Sequence, residues 1–219
     1  MRRVGLLGGM GPEATILIMQ RILASVTASD DKDHIPLLVD QNTQVPSRLE
    51  HLVNGTGDDP APVLADMARR LVVSGAEALA MPCNTAHFYG SVIKAAVDVP
   101  FLDMIQLSVN HAAQLAGSEK VVGILASPAV KKIGLFEAEL TKVGLRPVFA
   151  DDDGAMQQAI QQIKANGRGA EARQVLKSAS EEFYRLEAAL VSLGYDICCL
   201  PKASIKERAD FVLDNLASM

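Results

Sequence analysis

Tryptophan is absent from this 219-residue chain, and aromatic residues make up only 4% of it. Its core must therefore be packed by aliphatic side chains, and at 49% hydrophobic residues there are enough for a sizeable one. Cysteine is scarce: there are three, with Cys198 and Cys199 adjacent, which is no disulfide framework and fits a reducing compartment. The 21 Lys and Arg are scattered and outnumbered by 26 Asp and Glu, which excludes a basic nucleic-acid surface but not a few cations gathered in a pocket. No metal-ligand spacing links the cysteines with His34, His51, His87 or His111. No apolar run has the length of a signal peptide or membrane span; the first, residues 4–7, meets Gly8-Gly9 at once. These absences lead us to expect a cytoplasmic protein with no nucleic-acid or membrane partner.

What the chain does have is an internal repeat. Gly75-Ala76-Glu77-Ala78-Leu79-Ala80-Met81-Pro82-Cys83-Asn84-Thr85 returns without a gap as Gly194-Tyr195-Asp196-Ile197-Cys198-Cys199-Leu200-Pro201-Lys202-Ala203-Ser204. Val4-Gly5-Leu6-Leu7-Gly8-Gly9 is echoed by Val122-Gly123-Ile124-Leu125-Ala126-Ser127. Both offsets are close to half the chain, the mark of a duplicated unit. Short apolar runs alternate with longer amphipathic stretches, which predicts α/β units with mostly parallel sheets flanked by helices. Strands are expected at 4–7, 37–40, 78–81, 101–102, 120–125, 147–150 and 197–200. Helices are expected at 12–25, 62–74, 89–96, 105–115, 131–143, 155–165, 170–192 and 204–216. The joint falls at Ala116-Gly117-Ser118, giving domains 1–116 and 117–219, with the last helix free to pack back on the first.

Ligands of open parallel sheets collect beyond the carboxyl ends of the strands. Here those ends carry Gly8-Gly9-Met10-Gly11, Gln41-Asn42-Thr43-Gln44, Cys83-Asn84-Thr85, Ser127 and Lys202-Ala203-Ser204. The glycine turn is neither a dinucleotide fingerprint nor a P-loop, so no cofactor is expected; its N–H groups could meet a carboxylate at a helix start. Cys83, between Pro82 and Asn84-Thr85, sits where a thiol can act as base or nucleophile, although a lone Cys is more often a small core residue. Arg48 could grip a carboxylate in a two-pronged hydrogen bond or simply be solvated. Lys164 ends a predicted helix, where lysines commonly just suit the dipole. Asp151-Asp152-Asp153 has the look of a Mg²⁺ site and reads better as a solvated loop and helix cap.

Taken together, several segments resemble the aspartate/glutamate racemase family, whose enzymes need no pyridoxal phosphate. They are Leu7-Gly8-Gly9-Met10-Gly11-Pro12-Glu13-Ala14-Thr15, Asn42-Thr43-Gln44-Val45-Pro46-Ser47-Arg48, Met81-Pro82-Cys83-Asn84-Thr85-Ala86-His87 and Val99-Pro100-Phe101-Leu102-Asp103-Met104-Ile105. The resemblance is close in the first half and loose in the second. It implies two similar, pseudo-symmetric α/β domains with the active site in the cleft between them, and a homodimer. It implies Cys83 as one acid/base, Asn84 and Thr85 as substrate contacts, and Gly9, Met10 and Gln44 lining the pocket. Arg48 and Lys164 match basic residues near the substrate, and Ser127 stands at a Thr that helps hold its carboxylate.

The second motif departs from the family. Register puts Lys202 where the family has its second Cys, with Ala203 beside it among the substrate contacts and no Thr-Glu pair following. Cys199 lies three residues earlier, which changes face on a strand and forfeits the matched Pro. The expected activity is racemisation of aspartate or glutamate, with Cys83 and Lys202 as acid/base pair and the amine brought below its ordinary pKa of about 10.4 by burial or by nearby cations such as Arg48 and Lys164. The alternatives are a one-base decarboxylase, lyase or isomerase of a dicarboxylic acid, covalent attack by Cys83, or a non-catalytic binder of acidic amino acids.

Overall fold

The computed structural model describes residues 1–116, 120–124, 126–149, 154 and 197–198. They fall into two compact units, one taking in residues 1–107 and the other beginning at Ser108. Each is a parallel sheet with helices against it.

The first unit contains β1 (Val4–Gly8), α1 (Pro12–Ser25), β2 (Leu37–Gln41), α2 (Ala61–Val73), β3 (Ala78–Ala80), α3 (Gly90–Ala96) and β4 (Phe101–Leu102). The strand order is β2-β1-β3-β4, all parallel. Val4-Gly5-Leu6-Leu7-Gly8 is buried along its whole length, as a strand with a neighbour on each side and helices on its faces must be. The outer strand β2 is only half covered. Helix α2 turns Leu64, Ala65, Met67, Ala68 and Leu71 inward at helical spacing. It approaches β1 at Gly5, where a Cβ would stand 3.2 Å from that of Leu71 and 2.7 Å from a Leu79 methyl carbon. Only glycine leaves room for this contact.

Helix α4 (Met104–Leu115) leads into the second unit, which contains β5 (Val121–Ile124), α5 (Pro128–Lys132), α6 (Glu137–Lys142), β6 (Arg146–Phe149) and β7 (Ile197–Cys198). Its order, β6-β5-β7, is parallel and repeats the β2-β1-β3 arrangement of the first unit, as the sequence repeat predicts.

One expected helix is broken. Residues 131–143 are not continuous: α5 ends at Lys132 and α6 starts at Glu137. Gly134 has φ +64°, its N–H donates to the Lys131 carbonyl at 3.0 Å, and Leu135 N–H reaches back to the Val130 carbonyl at 3.4 Å. This paired reach-back satisfies the last carbonyls of a helix and ends it. Gly75 and Gly144 close α2 and α6 in the same way, ahead of β3 and β6. The helix expected at 89–96 begins instead with a 3₁₀ turn, Thr85–Tyr89, followed by α3. A π-helical turn, Glu50–Asn54, was not foreseen. The helices expected at 155–165, 170–192 and 204–216 lie outside the described residues, as does the Asp151-Asp152-Asp153 segment. No helix of the described residues is long and apolar enough to cross a membrane.

Candidate active site

In the first unit, three neighbouring strands end together. Gly8 pairs with Gln41 and Leu6 with Ala80, so the turns beginning at Gly9, Asn42 and Met81 leave the same edge of the sheet. The turns then pack on one another. Gly9 has φ +91°, and a Cβ on it would fall 2.3 Å from the Asn42 carbonyl oxygen. Its N–H donates to Thr15 Oγ1 at 3.0 Å, tying the glycine turn to the first turn of α1. Met10, Val45 and Cys83, one from each turn, share a buried cluster with Leu7, Met81 and Tyr89.

Cys83 is a free thiol, 8% exposed, with Asn84 and Thr85 after it at the start of the 3₁₀ turn. Asn84 is exposed and Thr85 half-buried. Gln44 is exposed; its N–H is held by Asn42 Oδ1 at 2.9 Å and its side-chain amide donates to Thr43 Oγ1 at 3.3 Å. Gly9, Met10, Gln44, Cys83, Asn84 and Thr85 thus all stand on the strand-end turns of one sheet edge.

Arg48 follows the second of these turns, half-buried, and its guanidinium is tied to its own loop. Nη1 donates to the Val45 carbonyl at 3.2 Å and to that of Pro46 at 2.8 Å. The charge is held in place, but part of its donor set is spent on the backbone instead of being presented as an open fork. In the second unit, Ser127 follows β5 and its Oγ accepts the Val130 N–H at 3.4 Å, capping α5. Lys164, Lys202 and Ala203 lie outside the described residues. No group of three or more His, Cys, Asp or Glu among the described residues could hold a metal.

The structure adds residues that the sequence reading did not single out. Thr15 is one. His87 is another: it is buried, with Nδ1 2.7 Å from the Cys83 carbonyl oxygen and Nε2 3.1 Å from the Met104 backbone nitrogen. Asp103 caps α4, accepting from the N–H of Ile105 at 3.1 Å and of Gln106 at 3.3 Å, and holds Lys94 at 2.8 Å. An Asp ahead of an apolar run was the available signal. Tyr89 has a buried hydroxyl with no partner among the described residues; burial, then Asp59, push its pKa up to about 12 against the pull of Arg48.

Burial lowers the pKa of His87, outweighing the Cys83 carbonyl and Asp103, which favour the charged form. A neutral buried His makes stability depend on pH in a definite direction. Below the ordinary His value of about 6.5, the unfolded chain takes up a proton that the folded chain refuses. Its contribution is therefore complete above that value and declines as pH falls toward the depressed folded pKa. Urea denaturation between pH 7.5 and 5 is expected to show this loss, and His87→Asn to flatten it. An unchanged slope in the variant would remove His87 as the source.

Comparison with known proteins agrees with this architecture. The family model described as Asp/Glu/Hydantoin racemase matches residues 7–195. The broad specificity amino-acid racemase RacX of Bacillus subtilis (strain 168) is 26% identical over 166 residues, covering 74% of this chain and 69% of its own. The aspartate racemase of Picrophilus torridus superposes with a TM-score of 0.76 at 20% identity, covering 99% of this chain and 95% of that one. An aspartate racemase homologue from Pyrococcus horikoshii OT3 gives 0.68 at 20% identity, covering 100% and 98%. At such identities the two structures speak for the α/β fold alone.

Proposed function

The chain belongs to the Asp/Glu/Hydantoin racemase family, and we propose that it is a cofactor-independent racemase of an acidic amino acid, aspartate or glutamate. The observation that carries this reading is the free Cys83, just beyond β3, in one buried cluster with Met10 and Val45 from the two adjacent strand-end turns. A thiol so placed can meet a small substrate lying across the carboxyl edge of the sheet.

Racemisation takes a weakly acidic α-proton from one face of the substrate and returns one to the other. It needs two groups that can each act as acid or base, and donors that hold the carbanion. Cys83 is the first group and Lys202 the second. With the thiol as thiolate and the amine as ammonium, Cys83 takes the proton and Lys202 delivers one; the opposite enantiomer uses the tautomer of equal net charge. Gly9, Met10, Gln44, Asn84, Thr85, Ser127 and Ala203 contact the substrate. Arg48 and Lys164 supply positive charge for its side-chain carboxylate. We carry over the homodimer and the cytoplasmic setting as part of the same reading.

Strand pairing speaks against Cys199 for the second position. Val4 pairs with Ala78 in the first unit; in the second, Val121 pairs with Ile197 and Val122 with Cys198. Matching Val4 to Val122, its echo in the repeat, carries Cys83 onto Ala203, and matching it to Val121 carries Cys83 onto Lys202 beside it; neither choice reaches Cys199. The test is to incubate the protein with each enantiomer of aspartate and glutamate in D₂O, following Hα loss by NMR and configuration by chiral chromatography. Two-way conversion with α-deuteration is expected. Deuteration without inversion would replace the reading with one-base chemistry, and no exchange from any substrate would end it.

A further inference from the structure

The ring of His87 is held between two backbone groups whose polarity is not in doubt. The Cys83 carbonyl, 2.7 Å from Nδ1, can only accept, and the Met104 N–H, 3.1 Å from Nε2, can only donate. The proton therefore sits on Nδ1 and Nε2 is bare. The backbone N–H of His87 also donates to the Asn84 carbonyl at 3.0 Å, closing the turn that carries Cys83, Asn84 and Thr85. The Cys83–Asn84 peptide is trans, so fixing its carbonyl on the His87 side directs the Asn84 N–H to the other side.

We propose that His87 is a positioning residue for the chemistry at Cys83: by holding the Cys83 carbonyl it sets the plane of the Cys83–Asn84 peptide, and with it the stance of the thiol and the aim of the Asn84 N–H at the substrate. The role of that N–H rests on the racemase reading above; the clamp on Cys83 does not. The clamp works only while the ring is neutral, because a proton on Nε2 would face the Met104 N–H donor to donor. Asp103 at the start of α4 and Lys94 of α3 are the charged groups that act on the ring, with opposite effects, while Phe101 of β4 packs on it with ring centroids 5.5 Å apart. On its own turn the ring meets Cys83.

Three substitutions separate the two ends of the clamp. His87→Asn puts an amide nitrogen close to where Nδ1 stands and keeps a donor for the Cys83 carbonyl. His87→Gln puts an amide oxygen near Nε2, keeping the Met104 contact and losing the other. His87→Ala loses both. The expected result for His87→Asn is kcat close to wild type. His87→Gln and His87→Ala are expected to lose on the order of 100-fold in kcat with KM little changed, the effect of misaimed groups and not of lost binding. Alkylation of Cys83 by iodoacetamide, followed by mass on the peptide that carries it, is expected to run faster in His87→Gln and His87→Ala because the turn covering the sulfur opens. Thermal unfolding identifies any variant that has not folded.

Rescue by Gln in place of Asn would overturn the proposal, as would wild-type kcat in a folded His87→Ala. An imidazole ¹⁵N spectrum with the proton on Nε2 would overturn it as well. If the wild-type protein exchanges no α-proton, the racemase reading fails, yet the order of alkylation rates still decides whether His87 holds Cys83.

Discussion

Cys83→Ala is expected to lose interconversion of the two enantiomers and, for one of them, α-deuterium exchange as well. The enantiomer whose proton faces the sulfur loses its base outright, and general base catalysis of this kind contributes roughly 10²–10⁴-fold. The other enantiomer depends on a neutral amine. At its ordinary pKa of about 10.4 the amine is neutral in about one molecule in 10³ near pH 7.4, with or without the thiol, so this enantiomer keeps its base and is labelled with retention. Interconversion, which needs both groups, should fall on the order of 10³-fold in both directions. Folding should survive: the sulfur lies in an aliphatic cluster, and the small cavity it leaves costs about 1 kcal/mol. Cys83→Ser controls for volume and should lose interconversion equally. Interconversion that persists in folded Cys83→Ala would remove the thiol from the mechanism.

The part of the site written in contiguous motifs could be read from the sequence. β1 is a fully buried Val4-Gly5-Leu6-Leu7-Gly8, and an uninterrupted apolar run ended by glycines is how a central parallel strand looks in any chain. The Cys83 turn follows a buried strand and the Gln44 turn a half-covered outer one; both strands run parallel to β1, so all three turns leave the sheet at its carboxyl edge. What escaped depends on partners distant in sequence or on local geometry. His87 acquires its meaning from Met104, 17 residues on, which reaches it only because β4 pairs with β3 and ends where α4 begins. The break between α5 and α6 rests on a glycine inside an otherwise amphipathic run. Periodicity is blind to φ, and Gly134 takes the positive value that ends α5. Arg48 was legible as a cation near the site. That its Nη1 is committed to the carbonyls of Val45 and Pro46 was not, since a loop's own acceptors cannot be placed before the loop is folded.

Lys202→Ala should separate exchange from inversion. With Cys83 intact, the enantiomer whose α-proton faces the thiolate still loses that proton and regains a solvent deuteron on the same face. It is labelled with retention. The mirror-image substrate presents its proton where the amine has gone and stays unlabelled. Interconversion should fall on the order of 10³-fold while one-sided labelling continues. Cys199→Ala should change neither, since β7 register carries Cys83 to Lys202 or Ala203. The wild-type pair should also be unequal in a specific way. Two enantiomers have the same free energy in water, so kcat/KM must be equal in both directions for any catalyst, and inequality can appear only in kcat and KM separately. An unperturbed thiol and amine differ by about two pKa units, which disfavours the neutral-amine tautomer roughly 100-fold unless nearby cations or burial lower the amine. Lys202→Cys replaces that mismatch with two thiols and is expected to bring the forward and reverse kcat values together. Unchanged rates in both directions for Lys202→Ala would assign the second proton to another group, and equal kcat values in the wild type would mean that the amine is already matched to the thiol.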